Sequence, residues 1–194
     1  MGGKIHIIGR LFIGISTQII AQIKNVRVPF NVDIGVGDII VPRAEERTIN
    51  TQLPDFEAPV IKTYSLESTI AEKFDAILQR FELTGRMKDF YDIYYLSRTF
   101  DFEGAKLQAA MFETLQHRGT PYDKDSFKRV VSLADDEDIQ KRWEFFLKTI
   151  KYETLEFSFV IAEIRTFLEP VFDAIVNEDE WLKEWTANRG WGLL

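Results

Sequence analysis

The sequence has no cysteine. That excludes a disulfide scaffold, a zinc ribbon and a cysteine nucleophile. It has no excess of positive charge either. Lys and Arg total 24 against 31 Asp and Glu, a formal net charge of −7. This argues against a generic nucleic-acid coating protein, because counterion release needs Lys and Arg in excess. A local basic site stays open. Long apolar runs are also missing. Residues 1–23 are rich in Ile, but Arg10 and the polar Ser16-Thr17-Gln18 interrupt them. Neither a signal peptide nor a spanning helix of about 18 apolar residues is expected, and the chain reads as cytoplasmic with no membrane partner. The phosphate-loop pattern G-x-x-x-x-G-K-S/T and the elbow G-x-S-x-G do not occur. The two histidines, His6 and His117, show no metal-site spacing.

What remains is 194 residues, 45% of them hydrophobic. That suits one domain, or a small domain plus an extension, with a real core. It excludes general disorder.

The pattern changes near residue 64. Before it, Val- and Ile-rich runs punctuated by Gly and Pro predict strands at Lys4–Ile8, Ile13–Lys24, Arg27–Ile34 and Ile39–Val41, with Val60–Tyr64 as one more. Asn25 suits a hairpin between the second and third, and Gly35 and Gly37 a strand end. Pro42 through Pro59 reads as a polar connection. From Ser65, an N-cap candidate, Leu66, Ile70, Phe74, Ile77, Leu78 and Phe81 follow a helical stripe. Gly85 separates it from a helix at Met87–Arg98. Further helices are expected at Glu103–Gln116, Lys124–Leu133, Asp135–Thr149 and Thr154–Ile175, the last bent or split by Pro170. Trp181 and Trp185, one helical turn apart, suggest a packed tail helix. Strands followed by helices mean an α+β fold: a strand-rich part over residues 1–63 and a helical lobe over 64–194.

Three constellations could carry chemistry. In Val32-Asp33-Ile34-Gly35-Val36-Gly37-Asp38, alternation places Asn31, Asp33 and Gly35 on the face opposite Val32 and Ile34. Asp33 reads either as part of an edge strand's wet face or as a metal-binding or general-base carboxylate, since Mg²⁺ takes oxygen ligands. In Ala71-Glu72-Lys73-Phe74-Asp75-Ala76, Lys73 lies beside the apolar stripe. Either its stem packs there with the ammonium at water, or the ammonium is directed at phosphate oxygens. In Arg86-Met87-Lys88-Asp89-Phe90-Tyr91-Asp92, Arg86, Asp89 and Asp92 share a helix face. That face is either an ion-pair ladder or the lining of a cleft. A further alternative is a plain scaffold whose acidic residues 101–194, with 12 basic and 19 acidic side chains, attract a basic partner.

Together these blocks resemble the AbiEii/AbiGii-type nucleotidyltransferase toxins. The resemblance is carried by Pro29-Phe30-Asn31-Val32-Asp33-Ile34-Gly35-Val36-Gly37-Asp38, Ser65-Leu66-Glu67-Ser68-Thr69-Ile70-Ala71-Glu72-Lys73 and Arg86-Met87-Lys88-Asp89-Phe90-Tyr91-Asp92-Ile93, with Arg118-Gly119-Thr120-Pro121 further on. It covers roughly residues 24–150. It implies the toxin half of a type IV toxin–antitoxin or phage abortive-infection system, on a minimal nucleotidyltransferase sheet closed by a helical lobe. It also implies a nucleoside triphosphate with Mg²⁺, nucleotide transfer to RNA, tRNA among the acceptors, and a cognate antitoxin with a winged-helix domain. By the same resemblance, Asp33 is a metal-site carboxylate, Lys73 contacts the triphosphate, and Asp89 is catalytic. Arg86 and Lys88 join Lys73 in nucleotide binding, and Asp92 and Glu72 support them.

One part of the family pattern is missing. Its first motif pairs Gly-Ser or Gly-Gly with Asp-x-Asp on a strand upstream of the Asp33 position. Only 32 residues precede Asp33, and none is Asp or Glu. Asp33 alone cannot hold two catalytic metals. The expectation is therefore a truncated toxin. The alternatives are a catalytically inactive homologue that binds antitoxin or nucleic acid, and a site completed by another polypeptide.

Overall fold

The computed structural model describes residues 4–8, 12–36, 40–41, 43–81 and 85–192, with backbone alone in the strand residues up to 14 and at 36. Its chain contacts divide into two units, Met1–Ile39 and Ile40–Leu194.

The first unit is a three-stranded antiparallel sheet in the order β1-β2-β3, built from β1 (Lys4–Ile8), β2 (Phe12–Ile23) and β3 (Val26–Val36). The β-branched runs predicted these strands to within about two residues, and Lys24-Asn25 form the two-residue turn. Lys24 takes a positive φ of 52° there, the sign that two-residue hairpin loops demand. Register pairs Ile15 with Ile34, Ile19 with Phe30 and Ile23 with Val26. Period-two alternation therefore gathers most of the apolar residues on one face, Ile20 and Pro29 excepted. Gln18 with Asn31 and Ser16 with Asp33 lie on the other.

The second unit starts with a small antiparallel pair, β4 (Glu45–Thr48) and β5 (Val60–Thr63). The polar connection expected over 42–59 thus contains a strand, because Arg47 and Thr48 pair with Ile61 and Val60. No strand forms at Ile40 and Val41, and Ile39 lies outside the described residues, as does Gly37. Val41 is instead bound by serines. Its N–H donates to Ser68 Oγ at 3.0 Å, and its carbonyl accepts from Ser65 Oγ at 3.0 Å and from Ser68 Oγ.

Among the described residues six α-helices follow: α1 (Leu66–Arg80), α2 (Met87–Thr99), α3 (Gly104–Arg118), α4 (Ser126–Ser132), α5 (Glu137–Thr149) and α6 (Phe157–Asn177). Ser65 caps α1 by accepting the Ser68 N–H, and Asp136 caps α5 by accepting from Asp138 and Ile139. The core centres on α6, whose Val160, Ile164, Phe167, Leu168, Val171 and Phe172 are fully buried and which packs on α2, α3 and α4. Phe74, Phe127 and Phe172 form one ring cluster there, with centroids 5.5–5.8 Å apart.

Two expectations need correction. Pro170 does not split the last helix. Phe157–Asn177 is continuous, because burial of the residues on either side of Pro170 outweighs one lost backbone hydrogen bond. The tail is not helical either. Trp185 lies in β7 (Glu184–Thr186), which pairs with β6 (Phe102–Glu103) and β8 (Gly190–Gly192). Trp181 precedes it and meets Trp191 edge-on at 5.5 Å. A strand lets Trp185 pack on Phe167 at 4.7 Å while its indole N–H donates to the Ser97 carbonyl. Among the described residues no helix is long and apolar enough to cross a membrane. The fold class is α+β, as expected.

Candidate functional site

Lys73 sits near the middle of α1, and Arg86 to Asp92 open α2. The two helices pack against each other, so their polar side chains meet. Lys73 Nζ lies 2.6 Å from Asp92 Oδ2 and 3.3 Å from Asp89 Oδ1. Arg86 Nε stands 3.0 Å from Asp89 Oδ2, and Lys88 Nζ 2.5 Å from Asp92 Oδ2. Three cations thus surround two carboxylates. The Lys73 ammonium is turned onto these carboxylates, its side chain half-buried at 18% exposure. Asp89 is 6% exposed and lies in the first turn of α2, where the helix dipole favours an anion. Its Oδ2 is buried and takes no hydrogen bond from any described residue, although Arg86 Nε is near. The Arg86 guanidinium neutralises that oxygen at 3.0 Å, so its charge is paired although its hydrogen bonding is incomplete.

A second cluster lies on the neighbouring face of α1. Glu72 and Asp75 both meet the Arg118 guanidinium, with Arg118 Nη1 3.0 Å from Asp75 Oδ2. Thr120 Oγ1 donates to Asp75 Oδ1. Gln79 Nε2 donates to Asp75 Oδ2 at 3.1 Å and to Thr120 Oγ1 at 2.8 Å. Gly119 makes this possible. It ends α3 with a φ of 60°, a left-handed turn that glycine adopts without strain, and Thr120 follows it back towards α1. Burial pushes the Asp75 carboxyl up to about 6, against the opposing pull of the Thr120 and Gln79 hydrogen bonds.

The structure brings together Lys73, Arg86, Lys88, Asp89 and Asp92. It places Glu72 in the second cluster, on Arg118. Asp33 belongs to the other unit, exposed on β3 opposite Ser16. Sequence reasoning missed Asp75. The signal was its place in the apolar stripe, between Phe74 and Ile77. A carboxylate there has to be buried, and Arg118-Gly119-Thr120 supplies its partners.

The arrangement suits phosphate recognition. Lys and Arg neutralise phosphate oxygens, and two helix faces hold them in place. For a divalent cation the fit is limited. Among the described residues no group of three His, Asp or Glu side chains stands close enough to hold a metal, so a two-metal site is not assembled from them. Asp89 Oδ2, ion-paired with Arg86, becomes an oxygen ligand only where the guanidinium gives way, and Mg²⁺ takes one or two carboxylates plus substrate phosphates.

The family model "Nucleotidyl transferase AbiEii toxin, Type IV TA system" matches residues 8–178. No curated protein and no solved structure matches the chain. The family match spans most of the 194 residues and takes in every member of both clusters as well as Asp33, and the chain belongs to the AbiEii nucleotidyl transferase toxin family of type IV toxin–antitoxin systems.

Proposed function

We propose that this toxin binds a nucleoside triphosphate through Lys73, Arg86 and Lys88 and transfers its nucleotide to RNA, tRNA among the acceptors. The observation that carries the reading is the gathering of three cations on two carboxylates, Lys73 and Arg86 on the buried Asp89 and Lys73 and Lys88 on Asp92. In transfer, an acceptor hydroxyl forms a new bond to the α-phosphorus, and the bond to the pyrophosphate oxygen breaks. The hydroxyl proton leaves to a base, and the pyrophosphate departs as an anion. Lys73 and Lys88, which both reach the same Asp92 oxygen, can turn from it towards that departing charge. Asp92 keeps them within reach when no ligand is bound. Asp89 would be the carboxylate that holds a Mg²⁺ arriving with the triphosphate. When bound, the ion neutralises phosphate charge as a Lewis acid. Asp33 enters this reading through the family resemblance alone, and Glu72 through its hold on Arg118.

A second reading is nucleotide or antitoxin binding without transfer, since the described residues gather cations for phosphate but assemble no two-metal site. As a member of a toxin–antitoxin family the chain has an antitoxin partner, and a winged-helix domain in that partner belongs to the proposal. One experiment separates the readings. The purified chain is incubated with α-labelled triphosphates, Mg²⁺ and total RNA, beside Lys73→Ala and Asp89→Asn. Label in RNA that both substitutions abolish supports transfer. Triphosphate binding that both weaken, with no label, supports the second reading. Binding indifferent to both changes rejects the site.

A further inference from the structure

A cavity of about 590 Å³ opens between the start of α2 and one face of α5. It lies within the size range of small-molecule sites. The α2 side contributes Arg86, Lys88 and Asp89, three members of the cluster already described. The α5 side contributes Lys141, Arg142 and Phe145. Lys141 and Phe145 are four residues apart and Arg142 and Phe145 three, so all three share one helix face. Four cations therefore line the cavity against one carboxylate, in a chain whose net charge is −7.

Phe145 is the unusual element. It is 73% exposed. The adjacent Phe146 packs on Tyr91 at 5.8 Å and Trp143 at 5.5 Å, so α5 has its core contact without Phe145. A single exposed apolar residue needs no explanation. An exposed ring flanked by two cations, at the mouth of a cavity that continues into a phosphate-suited cluster, has a specific chemistry. A nucleobase stacks on such a ring and its phosphate meets the neighbouring ammonium and guanidinium. The carboxylate partners of Lys141 do not prevent this. Glu137 and Asp138 stand 3.9 and 3.5 Å away, fully at the surface, where such pairs exchange at little cost.

We infer that this cavity holds a nucleotide unit, its base on Phe145 and its phosphate against Lys141 and Arg142. The inference rests on the triphosphate reading for its neighbour, the Lys73 cluster. The unit has two possible sources: the base of the triphosphate itself, or a nucleotide of a single-stranded acceptor.

The test uses the full chain and two probes, a fluorescein-labelled single-stranded RNA 12-mer and N-methylanthraniloyl-ATP with Mg²⁺, read by anisotropy. Phe145→Ala is expected to weaken RNA binding about ten-fold. Phe145→Tyr restores it, and Lys141→Gln with Arg142→Gln lowers its salt dependence. A loss on the ATP probe instead assigns the cavity to the triphosphate's base. Wild-type chain that binds neither probe, or Phe145→Ala that changes neither, overturns the inference. Unchanged thermal midpoints show that the variants are folded. Lys73→Ala keeps the two claims apart. If it leaves the ATP probe bound while Phe145→Ala releases RNA, the cavity stands and the triphosphate assignment falls.

Discussion

Asp75 shares a turn of α1 with Phe74 and is fully buried among Arg118, Thr120 and Gln79. Its carboxyl is pushed up from the ordinary 3.8 to about 6. Between these values the folded chain holds a proton that the unfolded chain releases, so stability from this group rises as pH falls from about 6 to about 4. Above pH 6 the buried charge is a standing cost. The span corresponds to at most about 3 kcal/mol. Urea midpoints of wild type and Asp75→Asn at pH 7, 5.5 and 4 are expected to show wild type gaining on the variant as pH falls. Parallel curves would place the ionisation elsewhere. Asp75→Ala at pH 7 removes one carboxylate partner of Arg118 and is expected to cost about 2–4 kcal/mol. Lys73 offers a contrast within the candidate site. Lys73→Met removes one of two cations from the buried Asp89, with an expected loss of about 1–3 kcal/mol. Asp92→Asn should cost less, because Asp92 is the more exposed carboxylate. Equal losses would show that Asp89 relaxes to water.

The elements follow local rules until a partner overrides them. The stripe of Ile70, Phe74, Ile77 and Leu78 and the cap at Ser65 made α1 readable, because their causes lie within a turn of the chain. The tail shows the opposite. Trp181 and Trp185 have helical spacing, yet β7 forms because β6 and β8 offer it hydrogen bonds. Gly104 marks the same joint. Its N–H donates to the Lys183 carbonyl at 2.9 Å. A Cβ there would stand 2.6 Å from Trp181 Cδ1 and closer still to the Lys183 carbonyl oxygen. Gly104→Ala is therefore expected to destabilise by about 1–3 kcal/mol, with a change in the near-ultraviolet dichroism of the tryptophans. An unchanged spectrum and midpoint would mean that the tail does not pack on α3.

On the scale of the molecule, the fully buried apolar residues of the described chain begin at Ile70 and belong to the second unit. A chain of residues 40–194 is accordingly expected to unfold cooperatively, with a thermal midpoint within a few degrees of the full chain. A broad, non-cooperative melt would show that residues 1–39 complete the core. The charge is also unevenly placed. Residues 1–63 carry seven basic and six acidic side chains, whereas 101–194 hold most of the excess acid. Net charge therefore said little about the Lys73 cluster, where the cations are in the majority.

The α+β class, most helices, the family and the placing of Lys73, Arg86, Lys88, Asp89 and Asp92 as candidates came from one dimension, whereas β4 and the strands of the tail did not. Periodicity, caps and motif spacing arise between near neighbours, and near neighbours are what a sequence displays. Other features required the folded chain. Glu72 and Lys73 adjoin in sequence, but a helix turns about 100° per residue, so Glu72 meets Arg118 while Lys73 meets Asp89. Asp75 gains Arg118 and Thr120 from 43 and 45 residues away. Burial, the meeting of Lys73 with Asp89 and the cavity beside Phe145 likewise come from helices packed against one another. Residue spacing alone carries no record of them, because desolvation and ion pairing depend on distance through space.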